Sequence, residues 1–192
     1  MRSRAREVLE FWFGSENDPE YGQFREEWFR KDPDFDATIT ARFAELYEEA
    51  AAGKLDGWRE EAESCLALVI VLDQFPRNMF RGDGRTHAED DRALSTSKYA
   101  VEHALDRELP AFQRMFLYMP FMHSESVEEQ RRSVEMFERL AGEPGAPDVV
   151  SYAEAHRDIV ERFGRFPHRN EILNRQTTPE EAEFLTTEGS SF

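Results

Sequence analysis

The sequence predicts an all-α fold in which antiparallel helical hairpins pack one after another along the chain. Apolar residues recur at three- and four-residue spacing through most of the sequence, which is the period of an amphipathic helix. One continuous apolar run, residues 65–72 (CLALVIVL), also suits a buried strand, but no second run of similar quality could pair with it. A chain of 192 residues fits one domain with a substantial core, so we expect a single all-helical domain over residues 1–192.

The helices of the first third are predicted from periodicity and from start and stop signals. We expect short helices near residues 4–13 and 20–29. Residues 34–53 begin with acidic side chains, and Gly53 is placed to end a helix. The apolar stripe of that helix consists of Ile39, Phe43, Leu46, Tyr47 and Ala50.

The segment at residues 62–72 is the ambiguous element of the chain. Its Val and Ile content suits a strand. However, Glu60, Glu61 and Glu63 place negative charge where it stabilises a helix N-terminus. We therefore interpret this segment as the central buried helix of the fold.

In the second half of the chain, the same periodicity predicts helices over residues 86–105, 110–119, 126–141 and 148–163, and a short one that begins at Thr178. Ser126 followed by Glu129 forms a capping box, and Thr178 with Glu181 forms a second one. Residues 142–147 (GEPGAP) are expected to break the chain between two of these helices.

The composition limits the partners that the protein can have. Its 24 Lys and Arg against 40 Asp and Glu give a net charge of minus 16, which repels nucleic-acid backbones and anionic lipid headgroups. The longest apolar runs are about eight residues, against roughly 20 for a membrane span. The single cysteine, Cys65, excludes an internal disulfide. We therefore expect a soluble cytoplasmic protein that binds neither nucleic acid nor membrane.

A short phrase occurs twice, as DQFPRNMFR at residues 73–81 and as FGRFPHRNEILNR at residues 163–175. Each joins Phe-Pro to cationic side chains and an Asn, so we expect two tightly turned helix ends that form halves of one polar site. They would meet only if the helices beginning near Ala62 and Asp148 were neighbours. Many donors with few acceptors are typical of carboxylate or phosphate recognition. The predicted ligand-binding residues are Arg77, Asn78, Arg81, Arg165, His168, Arg169, Asn170 and Arg175.

A second set of residues is chemically suited to moving protons. His123 and Glu125 precede the Ser126 cap, and His156 lies on the stripe of a predicted helix. A catalytic His needs a partner that fixes its tautomer, a role that Glu125, Asp73 or Asp90 could fill. In the alternative interpretation, His156 is a core residue bonded to a neighbour. The candidate catalytic residues are His123, Glu125, His156 and Asp73.

No metal site and no cofactor is predicted. His123 and Glu125 form a His-x-Glu pair, but the chain has no His-Glu-x-x-His motif. One Cys cannot supply the Pro-Cys-x-x-Cys motif of zinc deaminases. Gly-rich phosphate loops and dinucleotide fingerprints are also absent from the sequence.

The chain resembles, along nearly its whole length, the bacterial domain of unknown function 924 family. The resemblance rests on VLEFWFG at 8–14, LDQFPRN at 72–78, Asp90 with Ala93, YMPFMHSE at 118–125, His156, and FGRFPHRN at 163–170. The chain departs from the family where Asn174 replaces the Gly of Leu-Gly-Arg and where His87 replaces an aromatic residue. The resemblance implies a tetratricopeptide-like all-helical fold and leaves the chemistry open, because the family has no assigned function.

Three classes of function remain, and the oligomeric state stays open. The first is a binding module that takes an anionic small molecule or a peptide carboxylate in an Arg- and His-lined cleft. The second is a hydrolase or lyase that acts on an anionic substrate with His, Asp and Glu as acid and base. In the third, the Arg residues are internal clamps, and aromatic patches near Trp12, Trp28 or Trp58 bind a protein partner. We favour the first.

Overall fold

The computed structural model describes residues 3–146 and 149–191. Its α-helices are α1 (Arg4–Phe13), α2 (Pro33–Ala51), α3 (Ala62–Val69), α4 (Phe75–Met79), α5 (Asp90–Glu102), α6 (Ala111–His123), α7 (Val127–Ala141), α8 (Val150–Phe163) and α9 (Pro179–Phe184). A π-helical turn, Ile70–Gln74, joins α3 to α4. Short 3-10 turns occupy Glu26–Trp28, Asp56–Glu60, Gly84–His87, Leu105–Glu108 and Pro167–Arg169. These ranges contain no strand, which confirms the all-α prediction.

The apolar run at residues 65–72 forms the centre of the core. Every residue in it is at most 1% exposed, as expected of a helix that is apolar on all sides. Helix α3 packs against α1, α5 and α6, while α5, α6 and α7 each pack against the next helix along the chain. Because α6 contacts both α3 and α8, it bridges the helices that begin at Ala62 and Val150.

The two predicted capping boxes have different outcomes. Thr178 Oγ1 accepts a 3.2 Å hydrogen bond from the Glu181 N–H, and Glu181 Oε2 accepts one of 2.8 Å from the Thr178 N–H, so that box is complete. Ser126 Oγ accepts from the Glu129 N–H at 3.5 Å, but the Glu129 carboxylate pairs with Lys98 on α5. The Ser126–Glu129 box is therefore only half formed, because the charged Lys98 competes for the carboxylate.

Several predicted element limits are wrong. Residues 20–29 form only a 3-10 turn, because Gly22 adopts a left-handed φ of 77° that interrupts a helix. Helix α5 begins at Asp90 rather than at residue 86, after a 3-10 turn. Helix α6 continues four residues beyond the predicted end, to His123. Pro147 and Asp148, which belong to the predicted break and the predicted start of α8, lie outside the described residues.

The prediction that the first Phe-Pro pair ends its helix is wrong. The chain stays helical through Phe75 and Pro76 to Met79. A proline inside a helix removes one backbone donor and crowds the preceding turn, and the wider π turn just before it accommodates both effects. The second phrase does follow a helix end, because Gly164 closes α8 with a left-handed φ of 70°.

The aromatic residues proposed as surface patches are mostly internal. Trp12 is fully buried, Trp28 is 7% exposed and stacks on Trp12 with ring centroids 6.1 Å apart. The exposed aromatic rings near them are Phe24 and Phe29, which stack on each other at 5.6 Å. The prediction of Trp12 and Trp28 as surface residues is wrong, since both belong to the core. In the part of the chain described, no helix has the length and apolar character needed to cross a membrane.

Candidate functional site

Asp73 lies in the π-helical turn between α3 and α4, and its side chain is fully buried. Asp73 Oδ1 lies 2.8 Å from Nδ1 of His123, the last residue of α6, and Oδ2 accepts a 2.6 Å hydrogen bond from Gln74 Nε2. Burial would raise the pKa of Asp73, but Arg77 and His123 outweigh it and hold the pKa below its usual value. An ionised carboxylate can only accept, so Nδ1 of His123 carries a proton. Asp73 thus fixes the tautomer and orientation of His123.

The two repeated phrases meet at Asp90, the first residue of α5. Arg77 Nη2, from the first phrase, lies 3.0 Å from Asp90 Oδ1. Arg169 Nη1, from the second phrase, donates a 3.3 Å hydrogen bond to Asp90 Oδ2, and His87 Nδ1 lies 3.1 Å from the same oxygen. Burial would raise the pKa of Asp90, but Arg77, the His87 hydrogen bond and Arg169 lower it far below its usual range. We name as the inner cluster Asp73, Arg77, Asp90, His123 and Arg169.

His156, on α8, lies beside the inner cluster. Its ring centroid is 6.3 Å from that of His123, and its Nδ1 lies 2.7 Å from the Tyr152 carbonyl oxygen, to which it donates. Burial, assisted by His123, lowers the pKa of His156 to about 3, so its imidazole is neutral at pH 7. The ring also contacts Phe166 of the second phrase, with centroids 5.5 Å apart. His156 therefore joins α8 to both phrases as a neutral, largely buried group.

Arg169 is a buried cation with an incomplete set of partners. Its guanidinium stacks over Phe166, with Cζ 4.4 Å from the ring centroid. Burial lowers the pKa of Arg169 to about 10, so the group stays charged at pH 7. Among residues 3–146 and 149–191, Arg169 Nε makes no hydrogen bond. Arg77 Nη2 and Asp90 Oδ1, by contrast, lie 3.0 Å apart and pair with each other. An unsatisfied buried donor costs about 1–3 kcal/mol, and more when it is charged.

A second group of charges surrounds Glu125, between α6 and α7. Glu125 accepts from Arg175 Nη1 at 2.6 Å and Arg175 Nη2 at 2.9 Å, and from the Phe166 N–H at 2.8 Å. These bonds lower the pKa of Glu125 although burial alone would raise it. Arg175 Nε donates to Asn170 Oδ1 at 3.0 Å, which extends the chain of contacts to the second phrase.

The same set of contacts ends at Glu181, in the capping box of α9. Arg165 donates to its two oxygens at 2.6 and 2.8 Å, and the hydrogen bond with Arg165 lowers the pKa of Glu181 to about 2. Asn170 Nδ2 donates to Glu181 Oε2 at 3.3 Å. We name as the Glu125–Glu181 network Glu125, Arg165, Asn170, Arg175 and Glu181.

The remaining predicted ligand-binding residues lie outside both groups. Asn78 Nδ2 donates to Asp36 Oδ1 at 2.8 Å, and Arg81 holds the same carboxylate through two hydrogen bonds of 2.6 and 3.0 Å. These contacts tie α4 to α2. His168 faces Phe166 with ring centroids 5.6 Å apart, and burial lowers the pKa of His168 to about 4.

The structure adds residues that the sequence prediction did not assign to the site. Asp90 joins the two phrases, and His87 bonds the same carboxylate, although neither residue is among the predicted site residues. Their three-residue spacing across a helix N-terminus is a signal that would have linked them. Asn174 adopts a left-handed φ of 52°, the conformation that the Gly of Leu-Gly-Arg would supply.

Other concave surfaces lie away from these residues. A cleft of about 360 Å³ between α1 and α2 is lined by Arg4, Glu7, Arg42, Phe43, Glu45, Leu46 and Glu49. None of its lining residues belongs to the inner cluster or to the Glu125–Glu181 network. Among the described residues, no group of three or more His, Cys, Asp or Glu side chains is arranged to hold a metal ion.

Comparison with known proteins places the chain without assigning an activity. Residues 8–189 match the family model described as bacterial protein of unknown function (DUF924). A solved structure of a protein of unknown function from Agrobacterium tumefaciens is 42% identical, with a TM-score of 0.83. The match covers 95% of this chain and 96% of that one. No curated protein matches the sequence.

Proposed function

The chain belongs to the DUF924 family of bacterial proteins of unknown function, and we propose that it binds a small anionic molecule or a peptide carboxylate at the inner cluster. The observation that carries this proposal is the buried Arg169 Nε–H, which lacks a hydrogen-bond acceptor among the described residues. The Arg77 and Arg169 guanidinium groups both contact Asp90, so the two cations lie close together. Two neighbouring guanidinium groups suit the two oxygens of a carboxylate.

The inner cluster is also partly open to solvent. The Arg77 and Asp90 side chains are 20% and 17% exposed, and His123 is 13% exposed, whereas Asp73 behind them is fully buried. A ligand oxygen that reaches the guanidinium groups would therefore lie against the Asp73–His123 pair, whose hydrogen bond holds both side chains in place. A preorganised site reduces the entropy lost on binding.

The other predicted ligand-binding residues take a supporting role in this proposal. Arg165, Arg175 and Arg81 each hold an internal carboxylate with two hydrogen bonds, which leaves them little capacity for a ligand. Arg175 and Glu125 also bond the backbone on either side of Phe166, the ring under Arg169. We assign them the positioning of the second phrase rather than contact with the ligand.

The test is an NMR titration of the protein with acetate and benzoate, comparing wild type with Arg169→Gln. Loss of the Arg169 donor should weaken benzoate binding at least ~10-fold, since a charged hydrogen bond contributes about 1.5–3 kcal/mol. The matched control is Arg165→Gln, which removes the same charge from the same phrase.

The control should keep the wild-type dissociation constant within about twofold, even though its ion pair with Glu181 is lost. Equal loss of binding in both variants, with both folded, would assign the effect to the general fall in positive charge. An absence of binding by every anion tested would reject the proposal.

The Asp73–His123 hydrogen bond favours a second candidate function, that of a hydrolase or lyase on an anionic substrate. A buried carboxylate bonded to Nδ1 leaves Nε2 of His123 as the basic nitrogen, as in other acid–base pairs. In this version His123→Gln abolishes turnover while substrate binding is largely kept. His156 and Glu125 would then orient the pair rather than react.

The net charge of minus 16 supports the accompanying inferences about partners. An acidic surface disfavours nucleic acid, so we infer that the ligand is small or a peptide. We also infer a cytoplasmic location, where the lone thiol of Cys65 stays reduced.

A further inference from the structure

We propose that the ligand of the inner cluster is a monocarboxylate, and that it is taken up together with one proton that His123 receives at Nε2. This inference rests on the proposed function and specifies both its ligand class and its pH dependence. The proton comes from solvent, forms a bond with the Nε2 lone pair, and returns to solvent when the ligand leaves. No other bond forms or breaks.

The charges of the inner cluster require this coupling. Asp73 and Asp90 are ionised and Arg77 and Arg169 are cationic, so the buried charges already balance before a ligand arrives. An added carboxylate would leave one uncompensated negative charge in a region of low dielectric constant, which is costly. Protonation of a nearby imidazole restores the balance.

His123 is the imidazole in the right place. Asp73 Oδ1, in the π turn, lies 2.8 Å from its Nδ1, and Arg77 Nη1, in α4, lies 3.4 Å from the same oxygen. Asp90 faces it from α5, and His156 faces it from α8 with ring centroids 6.3 Å apart. Burial and Arg77 lower the pKa of His123 in the free protein, so the ring is neutral until an anion arrives.

The same balance argues against a phosphate dianion. Two negative charges would need two protons, and the second would fall on His156, which is only 5% exposed and already donates through Nδ1 to the Tyr152 carbonyl. Two adjacent imidazolium rings would repel each other. The cluster therefore favours one carboxylate over phosphate.

The experiment measures the dissociation constants of acetate, benzoate and inorganic phosphate by NMR between pH 8 and pH 6.5. Uptake of one proton per ligand should tighten carboxylate binding up to ~10-fold per unit fall in pH. The imidazole nitrogens of His123 should shift toward imidazolium values when benzoate is added. At pH 8, where inorganic phosphate is mainly the dianion, it should bind more weakly than benzoate.

Variants assign the proton. His123→Gln, whose amide can still bond Asp73, should bind benzoate with a dissociation constant that no longer varies with pH. His103→Gln is the matched control, because His103 is an exposed histidine on the end of α5, and it should keep the wild-type pH dependence. If His123→Gln fails to fold, the His123 nitrogen shifts in wild type decide the matter alone.

Each other outcome rejects the inference in a recognisable way. Carboxylate binding that is independent of pH in wild type, or tighter binding of phosphate, overturns the proton coupling while the anion site itself stands. Binding of no anion overturns both proposals. A tripeptide with a free C-terminal carboxylate, compared with its amide, tells whether the bound carboxylate can be that of a peptide or must belong to a small acid.

Discussion

The inner cluster and the Glu125–Glu181 network use the same residue types in opposite ways. In the network, Arg175 and Arg165 each meet one carboxylate with two short hydrogen bonds. In the inner cluster, Arg77 and Arg169 share Asp90, and Arg169 keeps a buried Nε–H without an acceptor. An Arg that is fully paired with a carboxylate holds a loop in place. An Arg with a donor that lacks an acceptor can still bind an anionic ligand.

This difference separates the two interpretations of the repeated phrase, as part of a ligand-binding site and as an internal clamp. Phe-Pro-Arg-Asn and its relative Phe-Pro-His-Arg-Asn are similar in sequence, yet Asn78 ties α4 to Asp36 while Asn170 joins the network around Glu125. The phrases therefore share a local shape rather than a role. Only Arg77 and Arg169 bring them to a common point.

The largest expected effect separating the two regions comes from Asp90→Asn. This change removes the carboxylate between two buried guanidinium groups, and loss of one partner of a buried ion pair costs roughly 3–5 kcal/mol. Urea unfolding followed by fluorescence of the three Trp residues measures the loss. The matched control is Asp91→Asn, an exposed neighbour on α5, which should change stability by less than about 0.5 kcal/mol. Equal effects of the two changes would contradict the central position of Asp90.

A smaller loss is expected when the network is broken at Glu125→Gln. Arg175 would lose its charged acceptor, which costs roughly 2–3 kcal/mol in the same urea experiment. Benzoate affinity should change much less than in Arg169→Gln, because Glu125 positions the Phe166 backbone without touching the ligand. The exposed Glu128→Gln on α7 serves as the control. A loss of binding in Glu125→Gln larger than that in Arg169→Gln would move the site to the network.

The response to acid offers a further comparison, because His156 lies beside the inner cluster. Its folded pKa of about 3 lies below the ordinary value of 6.5, so the unfolded chain binds the proton more readily. The stabilisation is complete above pH 6.5 and is lost as pH falls from 6.5 toward 3. Wild type should lose about 2 kcal/mol more than His156→Gln between pH 7 and pH 5.

That comparison is made with urea unfolding curves at each pH. The exposed His103→Gln should behave like wild type, since the ring of His103 is not confined by the core. Identical curves for wild type and His156→Gln would show that His156 is not held neutral by burial.

The smallest expected effect comes from Gly84→Ala, which acts on the inner cluster from a distance. A Cβ at this position would lie 2.9 Å from the Ile172 carbonyl oxygen, so the segment that follows Arg169 must move. Such crowding costs about 1 kcal/mol. Benzoate binding should weaken severalfold, whereas Gly57→Ala, with open space around it, should leave both quantities unchanged. Full retention of affinity in Gly84→Ala would show that the Arg169 segment tolerates displacement.

Much of the fold could be predicted from the sequence because its signals are local. The periodic stripe of α2, the buried run of α3 and the Thr178–Glu181 box each depend on residues within a few turns of one another. The wrong predictions of helix limits also have local causes, which lie in the backbone conformation rather than in the apolar pattern. Gly22 interrupts a helix by its φ, and the π turn lets a helix continue through Pro76.

The site was less predictable because it depends on contacts across the chain. The sequence indicated which cations belong together, but their acceptors, Asp36, Asp90 and Glu181, lie up to 79 residues from them. With 40 acids available, composition alone could not tell a clamp from an incompletely paired donor. That distinction depends on hydrogen-bond geometry, which only the folded chain defines.

The central claim is that Arg169 of the inner cluster binds an anion while Arg165 of the network does not. The most direct measurement follows the side-chain Nε–H resonances of both residues by NMR as benzoate is added. We predict that the Arg169 resonance moves in a saturable way, because its Nε lacks an acceptor, and that the Arg165 resonance, bonded to Glu181 at 2.6 Å, stays in place. Movement of the Arg165 resonance alone, or of neither, would contradict the account.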